Sequence, residues 1–318
     1  MCARDRRALA KAITLLESTQ PEHQARARAV LDAVLPGTGN SLRFGISGAP
    51  GVGKSTFIET LGLTLIAQGH KVAVLAVDPS STVTGGSILG DKTRMERLSA
   101  SEAAYIRPTP SSGALGGVAE RTREAILLCE AAGFDVVLVE TVGVGQSEIT
   151  AAGMTDLFVL LQLPNAGDDL QAMKKGVMEL ADIIVVNKSD LDATAAARAE
   201  LQITAALRAL RAGGNPVHAG TSITPVLRLS AQTGEGTDAF WKQASQLHAA
   251  RRADGRFAER RREQAVNWMW ELVRSNLLAE FRRHPAVCAA IPETVAAVAR
   301  SQLAPASAAR ALLDLFGS

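Results

Sequence analysis

The amino-acid sequence predicts an α/β fold with a mostly parallel, doubly wound sheet, and three observations support that prediction. Short apolar runs of the kind found in buried strands recur at residues 42–46, 72–77, 136–139, 157–163 and 183–186. Segments with helical spacing separate these runs, as in successive strand-helix-strand units. A glycine-rich stretch follows the first run directly, which is typical of a phosphate-binding turn at the edge of a parallel sheet.

Composition narrows the class of protein and of partner. The chain has 318 residues, of which 47% are hydrophobic. It can therefore bury the core of one nucleotide-binding domain with additional helices. Its 34 basic and 32 acidic residues nearly cancel, which gives no reason to expect nucleic acid or a membrane as partner. Its 3 cysteines are far apart, and this fits a reducing, cytoplasmic location. We expect neither a leader peptide nor a membrane span.

Breaks in the hydrophobic pattern predict three parts. Residues 1–40 form an N-terminal helical extension, residues 41–250 the nucleotide domain, and residues 251–318 a C-terminal helical arm with hinges near 253–255 and 304–305. The first helix of the arm has a wide apolar face, formed by Val266, Met269, Trp270, Leu272, Val273, Leu277, Leu278 and Phe281. That face either packs on the chain's own nucleotide domain or forms a homodimer interface, and the pattern leaves both open.

The glycine-rich stretch matches the phosphate-binding pattern G-x-x-x-x-G-K-[ST] between a predicted strand and a predicted helix over residues 56–67. Its backbone N–H groups and the helix N-terminus would surround the β-phosphate. Lys54 would bridge the β- and γ-phosphates, and the Ser55 hydroxyl would bind Mg²⁺. The predicted phosphate-binding residues are Gly48, Ala49, Pro50, Gly51, Val52, Gly53, Lys54, Ser55 and Thr56. This is the loop of a P-loop NTPase.

A second motif, Asn187-Lys188-Ser189-Asp190, follows the apolar run that ends at residue 186. The carboxylate of Asp190 offers acceptors for guanine N1–H and the 2-amino group, whereas adenine would leave it unsatisfied. The motif therefore predicts GTP and GDP as ligands. Asn187 would tie loops together, and the stem of Lys188 would lie along the base. A third base loop, made of Ser230, Ala231 and Gln232, follows a strand-like run at residues 226–229 and would turn backbone N–H groups toward guanine O6.

Three acids fall where predicted strands end or just beyond them. Glu140 is the best candidate for Mg²⁺ or its waters, followed by Asp78 and Asp91. For Asp91 a helix N-cap is nearly as good an explanation. The predicted metal-binding residues are therefore Ser55, Asp78, Asp91 and Glu140.

The segment Glu140-Thr-Val-Gly143 is similar to a D-x-x-G element, in which the glycine N–H meets the γ-phosphate. Many GTPases carry a water-orienting Gln immediately after that glycine, but here the residue is Val144. We therefore expect slow intrinsic hydrolysis unless Gln146 or a partner supplies the missing group. The predicted catalytic residues are Lys54, Glu140, Gly143 and Gln146.

Several longer segments together resemble the methylmalonyl-CoA mutase-associated GTPases, the MeaB/ArgK family within the dimeric class of P-loop GTPases. They are VDPSS at 77–81, TGGSILGD at 84–91, ETVGVGQSE at 140–148, NAGDDLQ at 165–171 and KKG at 174–176. The resemblance covers residues from about 4 to 285. It implies a homodimeric GTPase chaperone that gates adenosylcobalamin loading, protection and reactivation of a partner acyl-CoA mutase, with the C-terminal helices as its dimerisation arm.

The resemblance also assigns an additional switch loop, whose candidate residues are Asp168, Asp169, Gln171 and Lys174. An ordinary strand-to-helix connection, with the two acids at a helix N-terminus, is the alternative. The partner's substrate stays open between methylmalonyl-, isobutyryl- and hydroxyisobutyryl-CoA. Two other functions compete: a metallochaperone-like switch, which lacks a Cys/His cluster here, and a transport-associated ATPase or kinase, which the guanine motif disfavours.

Overall fold

The computed structural model describes residues 5–18, 20–78, 95–110, 117–141, 147–164, 175–212 and 224–317. Seven strands in these ranges form one sheet in the order β3-β2-β4-β1-β5-β6-β7, and all neighbouring pairs are parallel. The strands are β1 Leu42–Gly48, β2 Val72–Asp78, β3 Ala104–Pro110, β4 Val136–Thr141, β5 Leu157–Gln162, β6 Ile183–Val186 and β7 Val226–Arg228. The predicted α/β class with a parallel, doubly wound sheet is confirmed.

Helices connect and flank these strands. They are α1 Arg6–Glu17, α2 Pro21–Val34, α3 Lys54–Ala67, α4 Glu96–Ser99, α5 Gly117–Ala131, α6 Ser147–Ala152, α7 Lys175–Leu180, α8 Ala193–Ala212, α9 Thr237–Ala253, α10 Arg256–Arg283, α11 Pro285–Ala299 and α12 Pro305–Phe316. None of the helices in the described ranges is both long enough and apolar enough to cross a membrane.

The order of the strands places the carboxyl end of β1 at a crevice. β1 lies between β4 and β5. β2, β3 and β4 lie on one side of β1 in the sheet, and β5, β6 and β7 lie on the other side, so the direction in which strands are added reverses at β1. Ligands of open α/β sheets bind where the strand order reverses in this way. The polypeptide that follows β1, which carries the predicted phosphate loop, is therefore held at the position where a nucleotide can enter.

Both faces of the sheet are covered by helices, as the near-continuous apolar strands require. On one face Phe44 of β1, Phe57 of α3 and Phe240 of α9 are fully buried, and the last two rings meet edge to face at 5.1 Å. On the opposite face α1 and α2 pack with α5, and the buried residues of α1 are Leu9, Ile13 and Leu16. The spacing of these three residues, i, i+4 and i+7, places them on one face of the helix.

One strand is absent from those predicted by sequence. β3 contains Pro108 and Pro110, and prolines argue against a central strand because they donate no hydrogen bond to the ladder. β3 is the edge strand beside β2, so one side of its backbone needs no strand partner and the prolines are tolerated.

The helical C-terminal region also has a further break, since α11 begins with Pro285 immediately after His284.

The chain divides into two compact units, the first ending at Gln264 and the second beginning at Ala265. Within the second unit, Val287 and Ala308 are buried, and the rings of Phe281 and Phe316 meet at 5.4 Å. The domain limits drawn from the sequence, at residues 40/41 and 250/251, stay predictions.

Helix α5 carries a carboxyl group in an unfavourable environment. One oxygen of Glu124, Oε2, is buried and has no hydrogen-bond partner among the described residues. Burial, reinforced by the negative charge of Glu120, raises the pKa of Glu124 to about 7, although Arg121 and Arg28 act against the shift. A carboxyl pKa raised by folding means that the folded chain holds an extra proton between about pH 4.5 and 7. Stability should therefore fall as pH rises through that window.

We predict that Glu124→Gln removes most of this pH dependence. At pH 8 the variant should have a free energy of unfolding higher than wild type by about 2 kcal/mol, because it no longer keeps a buried carboxylate charged. Urea unfolding at pH 5 and pH 8 would measure the difference. The exposed Glu22 on α2 offers a control, Glu22→Gln. A pH dependence equal in Glu124→Gln and wild type would contradict the interpretation.

Candidate functional site

The phosphate loop is the turn between the end of β1 and the start of α3. Val52 in its middle is fully buried in the core, so the loop is anchored from beneath, while Ala49, Pro50 and Gly51 are exposed. Gly48 has φ +150°, and a Cβ at that position would stand 2.6 Å from the Leu161 carbonyl of β5. A side chain there would collide with backbone, so the turn requires glycine.

The second essential glycine stands at the start of α3. Gly53 has φ +94°, and a Cβ on it would lie 2.6 Å from the side-chain nitrogen of Asn187. The next residue, Lys54, turns its ammonium group back over the loop, with Nζ 2.8 Å from the Gly48 carbonyl and 3.2 Å from that of Ala49. A positive charge above a turn at a helix N-terminus is an arrangement that binds phosphate. Thr56 follows, half-buried, in the first turn of α3.

A hydroxyl and a carboxylate meet beside this turn. The Ser55 hydroxyl donates a hydrogen bond of 3.0 Å to Glu140 Oε1. Glu140 lies near the end of β4, and its register partner is Ile46 of β1. Hard oxygen donors of these two kinds are the ligands that Mg²⁺ prefers, so the pair fits this ion. The backbone of Asp78 ends β2, the other neighbour of β4, but its side chain lies outside the described part of the chain.

The strand ends that present Glu140 are fixed by a buried hydrogen bond. Thr141 donates its hydroxyl to Ser47 Oγ at 2.9 Å, and both residues are about 1% exposed. This bond joins β4 to β1 immediately before the phosphate loop. It therefore holds the loop and the acid in a fixed relation.

Asn187, just beyond β6, joins the phosphate loop to a base loop. Its side-chain nitrogen donates to the Val52 carbonyl at 2.8 Å, and its side-chain oxygen accepts from the Ala231 N–H at 3.0 Å. The residue is 1% exposed. Buried hydrogen bonds from a side-chain amide are costly to remove, because the Val52 carbonyl and the Ala231 N–H would both be left without a partner.

The next residue adopts an unusual backbone conformation. Lys188 has φ +59°, a left-handed value that is uncommon outside glycine and is often found at functional sites. Its side chain reaches the phosphate loop, since Cε is 3.9 Å from the position of a Cβ on Gly53. Asp190 then stands exposed in the turn that follows. The carboxylate is therefore free to meet a ligand rather than being buried in the protein.

The third loop, Ser230 to Gln232, uses two of its three backbone N–H groups internally. Ser230 donates to the Glu235 carbonyl at 3.0 Å, and Ala231 donates to Asn187. Gln232 is exposed and its N–H has no partner among the described residues. If this loop contacts guanine O6, Gln232 is therefore the residue whose N–H is available. Thr60 of α3 supports the loop by donating to the Ala231 carbonyl at 2.7 Å.

Seven predicted site residues lie outside the described ranges: Asp91, Gly143, Gln146, Asp168, Asp169, Gln171 and Lys174. Their roles stay predictions. The structure adds Ser47, Thr60 and Thr141, which sequence reasoning missed. No local pattern marks these hydroxyls, because each acts through a partner far away in the chain: residue 141 on residue 47 and residue 60 on residue 231.

Comparison with known proteins agrees with this geometry. The model of the family described as methylmalonyl-CoA mutase-associated GTPase MeaB matches residues 9–286. A putative GTPase of Caulobacter vibrioides is 51% identical over 317 residues, which are 100% of this chain and 96% of that protein. The methylmalonic aciduria type A homolog, mitochondrial, of Mus musculus is 45% identical over 98% of this chain and 77% of its own length.

A solved structure has the same fold over almost the full length. It is described as a LAO/AO transport system kinase, is 38% identical, and superimposes with a TM-score of 0.77 over 99% of this chain and 95% of that one. The match of the family model and the identities to these relatives confirm the family resemblance predicted from the sequence.

We predict that Asp190→Asn lowers affinity for GTP by at least about 100-fold. The substitution replaces a charged acceptor of two hydrogen bonds by an amide, and each such bond contributes roughly 1.5–3 kcal/mol. Affinity for xanthosine triphosphate should rise, because xanthine carries a carbonyl where guanine carries its amino group. Competition of GTP, XTP and ATP against a fluorescent nucleotide would measure both effects.

Asp192→Asn supplies the matched control for this experiment. Asp192 is a neighbouring exposed acid that caps α8 by accepting from the Ala195 N–H at 2.8 Å. Its substitution should leave nucleotide preference unchanged. Equal binding of ATP and GTP to wild type, with no effect of Asp190→Asn, would overturn the assignment of guanine selectivity.

Proposed function

The chain belongs to the family of methylmalonyl-CoA mutase-associated GTPases, and from this membership we propose how its GTPase activity is used. GTP binding and hydrolysis control the loading of adenosylcobalamin into a B12-dependent acyl-CoA mutase, and the protection and reactivation of that enzyme. The observation that carries the nucleotide part is the position of Asn187, whose side chain joins the phosphate loop to the loop at residues 230–232 and which begins the turn that contains the exposed carboxylate of Asp190.

In this proposal the chain's own residues divide the work on the nucleotide. The phosphate loop and Lys54 bind the β- and γ-phosphates, and Asp190 binds the guanine edge. Ser55 and Glu140, already in contact at 3.0 Å, would hold Mg²⁺ with Asp78 and Asp91. When bound, this ion neutralises charge on the phosphate oxygens. The Gly143 N–H would then meet the γ-phosphate.

Slow intrinsic hydrolysis follows from the residue after Gly143. The side chain of Val144 has no polar group that could orient a water molecule, so Gln146 or a partner must supply one. Residues Asp168, Asp169, Gln171 and Lys174 would form the loop that responds to the mutase. A partner that completes the site would shorten the lifetime of the GTP state, and this makes hydrolysis a timer for cofactor transfer.

We predict that the cognate mutase accelerates hydrolysis by at least about tenfold, a modest part of what a group supplied by a partner achieves in other GTPases. Phosphate release at saturating GTP, with and without mutase, would measure it. Methylmalonyl-, isobutyryl- and hydroxyisobutyryl-CoA mutases should be compared, because the partner's substrate is open. Lys54→Ala, which removes the charge on the phosphates, should give no turnover with any of them. Unchanged turnover of the wild type with each saturating mutase would contradict the proposed timer.

A homodimer formed through α10 is the second part of the proposal. Large apolar side chains on this helix stay exposed in the described chain, including Trp270 at 54%, Leu277 at 52% and Met269 at 49%. Met269 and Leu277 line a surface groove of about 430 Å³ together with Trp268, Leu272 and Val273. A contiguous apolar patch is typical of an interaction surface, and a second copy of the arm is the occupant that the family resemblance implies.

We predict that wild type has the mass of a dimer at micromolar concentration and that Trp270→Glu with Leu277→Glu gives a monomer. Charges placed on both helices of a symmetric interface would face each other without solvation. Leu313→Glu on α12, at a side chain 56% exposed, is the control and should remain dimeric. Light scattering on a sizing column measures the mass, and a monomeric wild type would refute the homodimer.

A further inference from the structure

The first turns of α10 are fixed to the amino-terminal edge of the sheet, within the first unit. Arg261 donates to both oxygens of Asp156 at 2.8 and 2.7 Å. The same guanidinium donates to the carbonyls of Gly39 at 2.9 Å and Ser41 at 2.7 Å. Asp156 is only 3% exposed. This buried ion pair anchors the helix, because breaking it would leave an uncompensated charge.

Two neighbouring residues of α10 reach a different target, the carboxyl end of α6 and the turn that follows it. Arg260 Nη2 donates to the Ala152 carbonyl at 3.3 Å. Gln264 Nε2 donates to the same carbonyl at 3.3 Å and to the Thr155 carbonyl at 2.9 Å. Carbonyls at the end of a helix have no partner inside the helix, and a positive charge there is favourable. Arg260 and Gln264 therefore hold the carboxyl end of α6 in place.

Helix α6 is short, and it lies next to two parts of the proposed nucleotide site: the segment that precedes it in sequence and the helix that follows the proposed switch loop. It begins at Ser147, directly after the segment that starts with Glu140 and contains Gly143 and Gln146. The first residues of that segment are already fixed, Glu140 on Ser55 and Thr141 on Ser47. The position of α6 therefore decides where the other end of the segment is held.

The same helix packs against the element that follows the proposed switch loop. Ala151 and Ala152 lie in one apolar cluster with Met178 of α7, and Val177 packs against that cluster. Helix α7 follows residues 165–174 in sequence. A displacement of α6 would therefore move groups on both sides of it, because tightly packed side chains transmit shifts rather than absorbing them.

We propose that Arg260 and Gln264 are positioning residues for GTP hydrolysis. By holding the carboxyl end of α6 they fix the position of Ser147, the residue at which the helix that follows the Glu140 segment begins. This inference rests on the proposed role of that segment in hydrolysis. Misplacement of reacting groups by about 1 Å can cost 100-fold in rate, so loss of this hold affects the chemical step more than the binding of nucleotide.

Arg260 and Gln264 differ from Arg261 in how much they are expected to contribute to stability. Arg261 contributes the buried ion pair, so its removal is expected to destabilise the fold. Gln264 is half-buried and donates neutral hydrogen bonds to carbonyls, which contribute little net stability. Arg260 is half-buried and charged, and it also lies 3.6 Å from Asp182, but that carboxylate keeps its ion pair with Arg251 when Arg260 is removed. Their alanine variants should therefore fold, and can be assayed.

The test is single-turnover hydrolysis of GTP by the full chain carrying Arg260→Ala and Gln264→Ala. We expect the rate to fall at least about tenfold, while the dissociation constants of GTP and GDP change less than about twofold. Arg260→Lys on the wild-type background, which keeps the charge at the end of α6, should recover part of the rate lost by Arg260→Ala. Arg256→Ala is the matched control, since Arg256 is exposed and pairs with Asp254 within the same turn.

The outcomes distinguish this inference from the function on which it rests. Glu140→Gln tests the segment itself: if that variant hydrolyses GTP at the wild-type rate, the assignment of the segment is wrong. If Glu140→Gln is impaired but the double variant keeps the wild-type rate, only the role of Arg260 and Gln264 is overturned. A double variant with a normal rate and a lower free energy of unfolding would show that the two residues are structural only.

Discussion

The side-chain amide of Asn187 is the contact on which the nucleotide site depends. It joins the Val52 carbonyl in the phosphate loop to the Ala231 N–H in a base loop. One buried residue therefore holds together two loops that are about 180 residues apart in the sequence. The distance between a bound phosphate and a bound base is therefore set inside the protein. The same amide explains Gly53, because any side chain there would collide with it.

The two edges of the sheet are held by different chemistry. At the carboxyl edge, neutral hydroxyl and amide groups fix the loops, while Asp190 and the turn at residues 49–51 are exposed. At the amino edge, buried charges fix the helices. Glu130 of α5 is an example: burial opposes its charge, but hydrogen bonds from Arg43, Ser41 and the Gly39 N–H outweigh burial and keep the pKa of that carboxyl below its usual value.

This division has a functional consequence. Arg261 also approaches Glu130, at 3.5 Å, so the start of α10 shares in the network at the amino edge. Its neighbours Arg260 and Gln264 extend from there to α6, whose other end leads into the segment proposed for hydrolysis. In our proposal the amino edge therefore supports the edge at which GTP is hydrolysed.

Local patterns were sufficient to predict most of the fold and part of the site. The apolar runs predict the central strands because a parallel sheet buries both faces, and the flanking strand and helix give the phosphate loop its context. β3 escaped prediction because its prolines are acceptable only on an edge, which is a property of the assembled sheet. Arg261 pairs with Asp156 across a separation of 105 residues, and no periodic pattern encodes such a contact. The left-handed backbone of Lys188 is likewise not marked in the sequence, because lysine is not a residue type that favours this conformation.

The most direct test of the account is the affinity of Asn187→Ala for GTP compared with that for inorganic pyrophosphate. In the variant, binding of GTP must bring together two loops that the wild type already holds in place, and we expect this ordering cost to lower GTP affinity at least about 30-fold. Pyrophosphate needs only the phosphate loop, and its affinity should fall much less. Titration calorimetry with both ligands would measure the difference. GTP affinity equal to that of wild type would contradict the central role given to this amide.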